Sequence, residues 1–325
     1  MKYMKEIAFV VVLCLSCFFA GTCQAEEDSL LVVFWNVENF FDYVDGGTGE
    51  SDREFSSMGA RHWTKKRFYA KCDAVAKTMF WLADRYGRMP DVIGFAEIEN
   101  RGVLARMLSS TLLRKCDYGI VHKESGDRRG IDVALLYRKS VMDTLSTSFV
   151  TPLYEGKPMQ TRDILHARMQ LADGSTADFI VNHHPSKFGG EEVSRNRRYA
   201  AMKTFKDICG SLSCESVIAM GDFNDTPDAG QFRLLDGVMV NKADSICRNK
   251  KDGTIRYEGK WELIDMFMTS TALAYKSRME IVRVPFLMTY EKKHPGEKPL
   301  RTYVGPRYTG GVSDHCPIVL CVYFQ

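Results

Sequence analysis

The sequence predicts a layered α/β domain. Three observations carry that prediction. Apolar runs of strand length alternate with amphipathic helical stretches, several of those runs end in acidic, amide or imidazole side chains, and no repeat, low-complexity tract or linker divides residues 26–325. A chain of 325 residues with 45% hydrophobic content has ample material for one large core.

Taken in order, "LLVVFWNVENFFD" opens with a strand, and "WTKKRFYAKCDAVAKTMFWLADRYG" follows with Phe68, Cys72, Val75, Met79 and Leu82 at helical spacing. Pro90 and Asp91 punctuate the end of that helix, and the apolar run in "PDVIGFAEIEN" stops at Glu97. A second helix, "RGVLARMLSSTLL", precedes a strand pair in "YGIVHKE" and "IDVALLYR". "ADFIVNHHPSK" and "SVIAMGDFND" are strands with polar ends, separated by the helical "EVSRNRRYAAMKTFKDIC"; "WELIDMFMTS" and "HCPIVLCVYFQ" are the last two strands.

The first 25 residues stand apart from this pattern. Lys2 and Lys5, an apolar stretch from Ile7 to Ala20 and small residues before an acidic start make residues 1–25 a secretory signal, with cleavage expected after Ala25 and a domain over 26–325. The apolar run is shorter than the roughly 20 residues of a membrane span. Export to the periplasm or the outside follows, with lipid anchoring at Cys23 as the alternative because "AGTC" loosely resembles a lipoprotein signal.

Seven of the 10 cysteines follow residue 25, an odd number that cannot all pair internally. Cys209 and Cys214 flank a short turn and could form a disulfide in an oxidising compartment, while buried free thiols are the reading for most of the others. No Cys-x-x-Cys pair is present, which argues against a structural zinc. With 44 Lys and Arg against 41 Asp and Glu, the net charge of +3 does not announce a polyanion partner, so any attraction for phosphate must be local.

Five strand ends carry the chemistry: Asn36 with Glu38, Glu97 with Glu99, His183 with His184, Asp222 with Asn224 and Asp225, and Asp314 with His315. Each alone is explained by turns, solvation or packing. Together they point to a shared site, because ligands of layered α/β proteins sit where strand ends meet. Oxygen-rich groups without thiolates suit a hard cation such as Mg²⁺, Mn²⁺ or Ca²⁺, and nearby imidazoles handle protons at neutral pH. Metal-assisted phosphoester hydrolysis needs both services.

The segments "FWNVENFFD", "GFAEIEN", "VNHHPS", "GDFNDTP", "LIDMFMTS" and "GGVSDHCPIVL", in that order, resemble the successive motifs of the endonuclease/exonuclease/phosphatase family over nearly the whole chain after residue 25. The resemblance implies an α/β four-layer sandwich, two packed β-sheets flanked by helices. It implies Asn36, Glu97 and Asp314 at the metal, with Glu97 as the direct ligand, and Asp222 and Asn224 orienting water and the scissile phosphate. It places His183 facing the phosphate with His184 behind it, and His315 as a second imidazole oriented by Asp265. Either Asp222 or His315 serves as the base. Arg162 in "MQTRDILHARM" matches the family's arginine segment and is a candidate phosphate contact, although an exposed strand arginine explains it equally.

Three regions carry two readings each: Arg128, Arg129 and Asp132 border the site or form a charged hairpin, Arg195, Arg197 and Arg198 after "NHHPSKFGGEEVS" serve a nucleic acid beside the cleft or are the polar face of a helix, and the long segment 290–311 covers the site or is an ordinary connection. The expected substrate is a phosphoester, foremost nucleic acid cut by a nuclease or other phosphodiesterase with Mg²⁺. A phosphomonoesterase, a lipid phosphodiesterase and a noncatalytic binding protein on the same scaffold are the alternatives, and no stable protein partner is implied.

Overall fold

The computed structural model describes residues 29–324 apart from 48, 188–189, 244–245 and 247–251. The signal segment, its cleavage after Ala25, the lipid site at Cys23 and the thiol of Cys247 lie outside the described residues.

Strand β1, Ser29–Phe40, shows how the sequence builds layers. Leu30, Val32 and Phe34 join the core shared with the second sheet, whereas Leu31, Val33, Trp35 and Val37 pack with Phe68, Cys72, Val75 and Met79 of helix α1, Lys65–Tyr86. A strand sandwiched between two layers has no polar face, which is why its sequence is a continuous apolar run and not an alternation. Helix α1 starts at Thr64, whose hydroxyl accepts the Arg67 N–H, and stops at Gly87, which takes the left-handed conformation at φ 74°.

The other strands of the two large sheets are β2 (Val92–Ile98), β3 (Tyr118–His122), β4 (Asp132–Arg138), β5 (Met142–Val150), β6 (Ile164–Leu171), β7 (Thr176–His183), β8 (Val217–Asp222), β9 (Val240–Asn241), β10 (Asp265–Thr269), β11 (Ser277–Ile281) and β12 (Ile318–Tyr323). The first sheet has the order β11-β12-β1-β2-β4-β3 and the second β9-β10-β8-β7-β6-β5. Helix α1 and helix α2, Arg101–Ser110, cover the outer face of the first sheet; helix α3, Glu191–Ser211, contributes Met202 and Phe205 to the core of the second. The structure is thus the expected sandwich of two sheets with helices outside. The sheets approach closely at Gly94, where a Cβ would lie 2.4 Å from the Met220 sulfur.

Both sheets are mixed. β1 runs parallel to β2 and antiparallel to β12, and β8 runs parallel to β7 and antiparallel to β10. Two irregularities interrupt the first sheet near its polar edge, between Asn36 and Phe40 on β1 and between Ala96 and Ile98 on β2. There Glu38, Asn39 and Glu97 take positive φ values of 46°, 51° and 64°. Bulges of this kind re-aim side chains that a regular pleat would send elsewhere.

Some expectations need correction. Cys209 and Cys214 are free thiols: Cys209 is buried on α3, and the Cys214 thiol donates to the Thr176 carbonyl at 3.2 Å, pointing into the sheet edge. The run "WELIDMFMTS" divides, with Lys260–Glu262 pairing Ile255–Tyr257 in a separate hairpin before β10 begins at Asp265. Segment 290–311 folds into two short hairpins, Met288–Glu291 with Gly296–Pro299 and Tyr303–Val304 with Arg307–Tyr308.

Candidate active site

Strand register makes the first half of the site. In the second sheet Asp222, the last residue of β8, stands opposite His183 of β7 on one side and Asp265 of β10 on the other. Residues opposite one another in a sheet share a face, so the three side chains form one row. His183 Nε2 lies 3.6 Å from Asp222 Oδ2. Its neighbour His184 must then face the other way, and its ring packs against Phe223 with centroids 4.9 Å apart.

The first sheet and the loop before β12 supply the second half. Asn36 Nδ2 donates to Asp222 Oδ2 at 3.0 Å, while the Asn36 amide oxygen accepts the Glu38 N–H at 2.9 Å. Trp35 Nε1 donates to the His315 carbonyl at 2.9 Å, and the His315 N–H donates to the Ser313 hydroxyl, which itself donates to the Asn36 carbonyl at 2.6 Å. His315 is thereby fixed on the end of β1. Its Nδ1 bonds Asp265 Oδ2 at 2.7 Å, and its Nε2 is 3.8 Å from Asp222 Oδ2. Two imidazoles and an amide therefore surround one carboxylate oxygen. Asn224, at φ 51° just after β8, donates from its backbone to Asp222 Oδ1 at 2.9 Å and from its side chain to the His184 carbonyl at 3.0 Å.

A family model described as endonuclease/exonuclease/phosphatase matches residues 31–323. The chain belongs to that family. Its members are metal-dependent phosphoesterases. Among solved structures, an endonuclease/exonuclease/phosphatase family protein from Bacteroides thetaiotaomicron is 17% identical with a TM-score of 0.57, covering 91% of this chain and 98% of that one. A mannosyl-6-phosphatase from the same species is 15% identical with a TM-score of 0.57, covering 90% and 100%. D. rerio TDP2 complexed with single strand DNA product is 13% identical with a TM-score of 0.56, covering 91% and 99%. No curated protein matches the chain. At these identities the solved structures show a shared fold.

The family's cation needs an oxygen-rich, electronegative place, and the chain provides one beside the row. Burial and the nearby Asp314 charge raise Glu38 to about 7. Burial also presses on Glu97, but Arg129 and the Asn39 N–H more than offset it and hold Glu97 below the usual carboxylate value. Glu97 Oε2 accepts that N–H at 2.7 Å and lies 3.5 Å from Arg129 Nη2, whose guanidinium also donates to the Asn39 amide oxygen. Arg301 bridges Glu38 at 2.7 Å and Asp314 at 3.2 Å. Buried Lys71, lowered to about 8 mainly by burial, donates to the Glu38 carbonyl and the Thr302 hydroxyl. Glu38 and Asp314 thus share the Arg301 guanidinium, and Glu97 adds to the negative surroundings of that side chain. All-oxygen donors of this charge fit a hard divalent cation. Asp222, Asp265 and His315 also put donor atoms within 4.8 Å of one another, and within that cluster Asp265 is hydrogen-bonded to His315.

Protonation states follow from the same contacts. Burial works against a charge on His315, yet Asp265, Asp222 and Asp314 together outweigh it and push its pKa well above the ordinary value. Burial drives His183 well below its ordinary value, reinforced by Arg162 and Arg129. Asp222 is raised to about 7 by burial and then by Asp265. One imidazole is held charged, the other neutral, and the carboxylate between them exchanges protons near neutrality.

The expected site residues Asn36, Glu97, His183, Asp222, Asn224, Asp265, Asp314 and His315 are brought to one edge of the sandwich. Arg162 is buried at the flank: its Nη2 donates to the same His184 carbonyl as Asn224, at 2.6 Å, and its Nη1 pairs Asp127 at 3.2 Å. It is no exposed strand arginine. Arg198 is only 1% exposed and pairs Asp225 at 2.9 Å, so it braces the turn after β8 and offers nothing to a surface. Glu99 anchors the Asp42 N–H, and Asp132 bonds the Ser125 hydroxyl away from the centre. Arg301, Lys71 and Asn39 escape a sequence reading. Arg301 lies inside the segment singled out as a possible cover, but nothing in its neighbours distinguishes it from the basic residues around it.

The Asp265–His315 contact has a readable consequence. Because Asp265 favours the imidazolium, Asp265→Asn should lower the pH at which His315 loses its proton. The stabilisation it lends the folded protein is fully present below the unfolded histidine value of about 6.5 and is lost as pH rises through the raised folded value. NMR titration of the His315 ring should show the midpoint moving down in the variant; an unmoved midpoint would remove Asp265 from this role.

Proposed function

We propose that the protein is an exported, divalent-cation-dependent phosphodiesterase, foremost a nuclease, that hydrolyses its substrate by direct attack of water. The observation that carries the diester reading is that clefts flank the centre on two sides. One, about 490 Å³, reaches it through Glu38 and Asp314 and is walled by Phe55, Tyr257 and Tyr303. The other, about 310 Å³, reaches it through Arg129 and Arg162. A diester has substituents on both sides of its phosphorus, whereas a terminal monoester needs room on one. The likeness to TDP2 complexed with single strand DNA product supports a nucleic-acid substrate, and that to the mannosyl-6-phosphatase supports the competing monoester.

In this reading the scissile phosphate sits over the row formed by His183, Asp222 and His315. Asp222 in its ionised form accepts the proton of the attacking water, steered by the Asn36 amide and by the Asn224 N–H on its other oxygen. His315, held charged by Asp265, stabilises the growing negative charge on phosphorus and its leaving group. Neutral His183 donates a hydrogen bond to a phosphate oxygen. A divalent cation held by Glu97 and Asp314, with Asn36 alongside, would supply charge neutralisation at a non-bridging oxygen, and Mg²⁺, Mn²⁺ and Ca²⁺ all suit that donor set.

A panel of DNA, RNA, phospholipid and sugar phosphate, run with the purified protein, tests the proposal. Chelation should abolish diester cleavage, Mg²⁺ or Mn²⁺ should restore it, and Glu97→Gln should raise the metal concentration needed. His183→Ala should lower turnover by roughly 10² to 10⁴ while leaving a folded protein. Cleavage of the monoester alone would replace the diester reading, and full activity without metal would end the mechanism.

Export rests on Lys2, Lys5, the apolar stretch Ile7 to Ala20 and the small residues up to Ala25. N-terminal sequencing of the secreted or periplasmic product should begin at Glu26. A product that keeps Met1 would contradict export, and a lipid on Cys23 would replace cleavage after Ala25 with anchoring.

A further inference from the structure

The two flanking clefts differ in charge. The larger one mixes signs, with Arg61, Arg256 and Lys298 set against Glu258 and Glu291. The smaller one is lined by four arginines, Arg128, Arg129, Arg162 and Arg197, and by a single carboxylate, Asp127, which is already paired with Arg162 at 3.2 Å. Thr161 and Ser186 add hydroxyl groups to its wall.

Arg129 and Arg162 are paired inside the protein, with Glu97 and Asp127, whereas the other two guanidinium groups lie at the surface. Arg128 pairs Glu50 at 3.1 Å, but both side chains are more than half exposed, so water screens the pair. Arg197 stands exposed on α3 without a salt-bridge partner among the described residues. The Nε of Arg162 is buried with no hydrogen-bond partner in a residue that is only 8% exposed. A cleft lined by four guanidinium groups and one already paired carboxylate suits an anion.

The cleft is joined to the reaction centre at two points. Arg129 Nη2 lies 3.5 Å from Glu97 Oε2, and Arg162 shares the His184 carbonyl with Asn224. An anion in the cleft would therefore be a neighbour of the scissile phosphate along one extended substrate. We propose that this cleft is a subsite for a second phosphate group of the substrate, so that the enzyme selects esters carrying two phosphates a short reach apart. The inference rests on the phosphoesterase reading above and deepens it. The second phosphate comes either from the next link of a nucleic-acid strand or from a second ester on a small molecule such as a sugar bisphosphate.

The test pairs substrates that differ by one phosphate: the dinucleotide TpT against its 5′-phosphorylated form, and a sugar monophosphate against the corresponding bisphosphate. Arg197→Ala and Arg128→Ala, both at exposed positions, should raise KM for the doubly phosphorylated member by about tenfold and leave the ratio of kcat values unchanged, since one guanidinium–phosphate contact is lost. KM for the singly phosphorylated member should change by less than about twofold. Selectivity confined to the dinucleotide pair assigns the second phosphate to nucleic acid; selectivity confined to the sugar pair assigns it to a small ester, and then the nuclease reading falls while the subsite stands. Equal effects on both members of each pair, or no effect, overturn the subsite. If the wild-type protein cleaves none of these compounds, the proposed reaction is wrong, and inorganic pyrophosphate in metal-free buffer still decides the cleft. Its stabilisation of the wild-type protein against heat should be lost in the Arg128→Ala/Arg197→Ala double variant; an undiminished stabilisation overturns the subsite independently of activity.

Discussion

The hydrogen bond from Asn36 Nδ2 to Asp222 Oδ2, 3.0 Å long, joins residues 186 positions apart and the ends of two different sheets. The rest of the centre is arranged around it. β1 brings Asn36 and, through Trp35 and Ser313, pins the backbone of His315; β8 brings Asp222 between His183 and Asp265. A shift of one sheet over the other by even an ångström would open this contact, and the close approach at Gly94 and Met220 is part of what keeps the sheets in place. Catalytic geometry on this scaffold is therefore a property of sheet packing, with the reactive groups held by strand ends and their immediate turns.

Charge distribution explains why the site is divided. On one side lie Glu38, Glu97 and Asp314, with Arg301 bridging Glu38 and Asp314 and Lys71 as a further counter-charge. On the other, Asp222 and Asp265 hold His315 in its charged form. Crowded carboxylates raise one another's pKa, and a cation relieves that strain. Both halves hold groups shifted toward neutrality, Glu38 and Lys71 in one and Asp222 in the other. Phosphoester cleavage uses both at once, because the phosphate is already negative and the attacking water must lose a proton.

Much of this was legible in the sequence. The unbroken apolar runs of β1 and β8 mark strands buried on both faces, and the polar residue ending each run marks the site edge. Alternation along "VNHHPS" is enough to say that the two histidines face opposite ways, and the structure puts His183 at Asp222 and His184 against Phe223. What stayed hidden depends on contacts far apart in sequence or on local backbone exceptions. The bulge that turns Glu97 to φ 64° has no glycine to announce it. Arg301 reaches Glu38 from 263 residues away, and Arg198 looks like a surface residue until Asp225 takes its charge inside. Whether Cys209 and Cys214 pair was not legible either, because spacing says nothing about direction: both are free thiols, and that of Cys214 points to the Thr176 carbonyl.

In the proposed mechanism Asp222 delivers water to phosphorus in a single displacement, with His183 and His315 acting only through hydrogen bonds and charge. Stereochemistry at phosphorus tests this most directly. A phosphodiester made chiral with sulfur and an oxygen isotope should be hydrolysed in isotopically labelled water with inversion of configuration, the outcome of one in-line attack. Retention would mean two successive displacements through a phosphoryl group carried on His183 or His315, and would contradict the account.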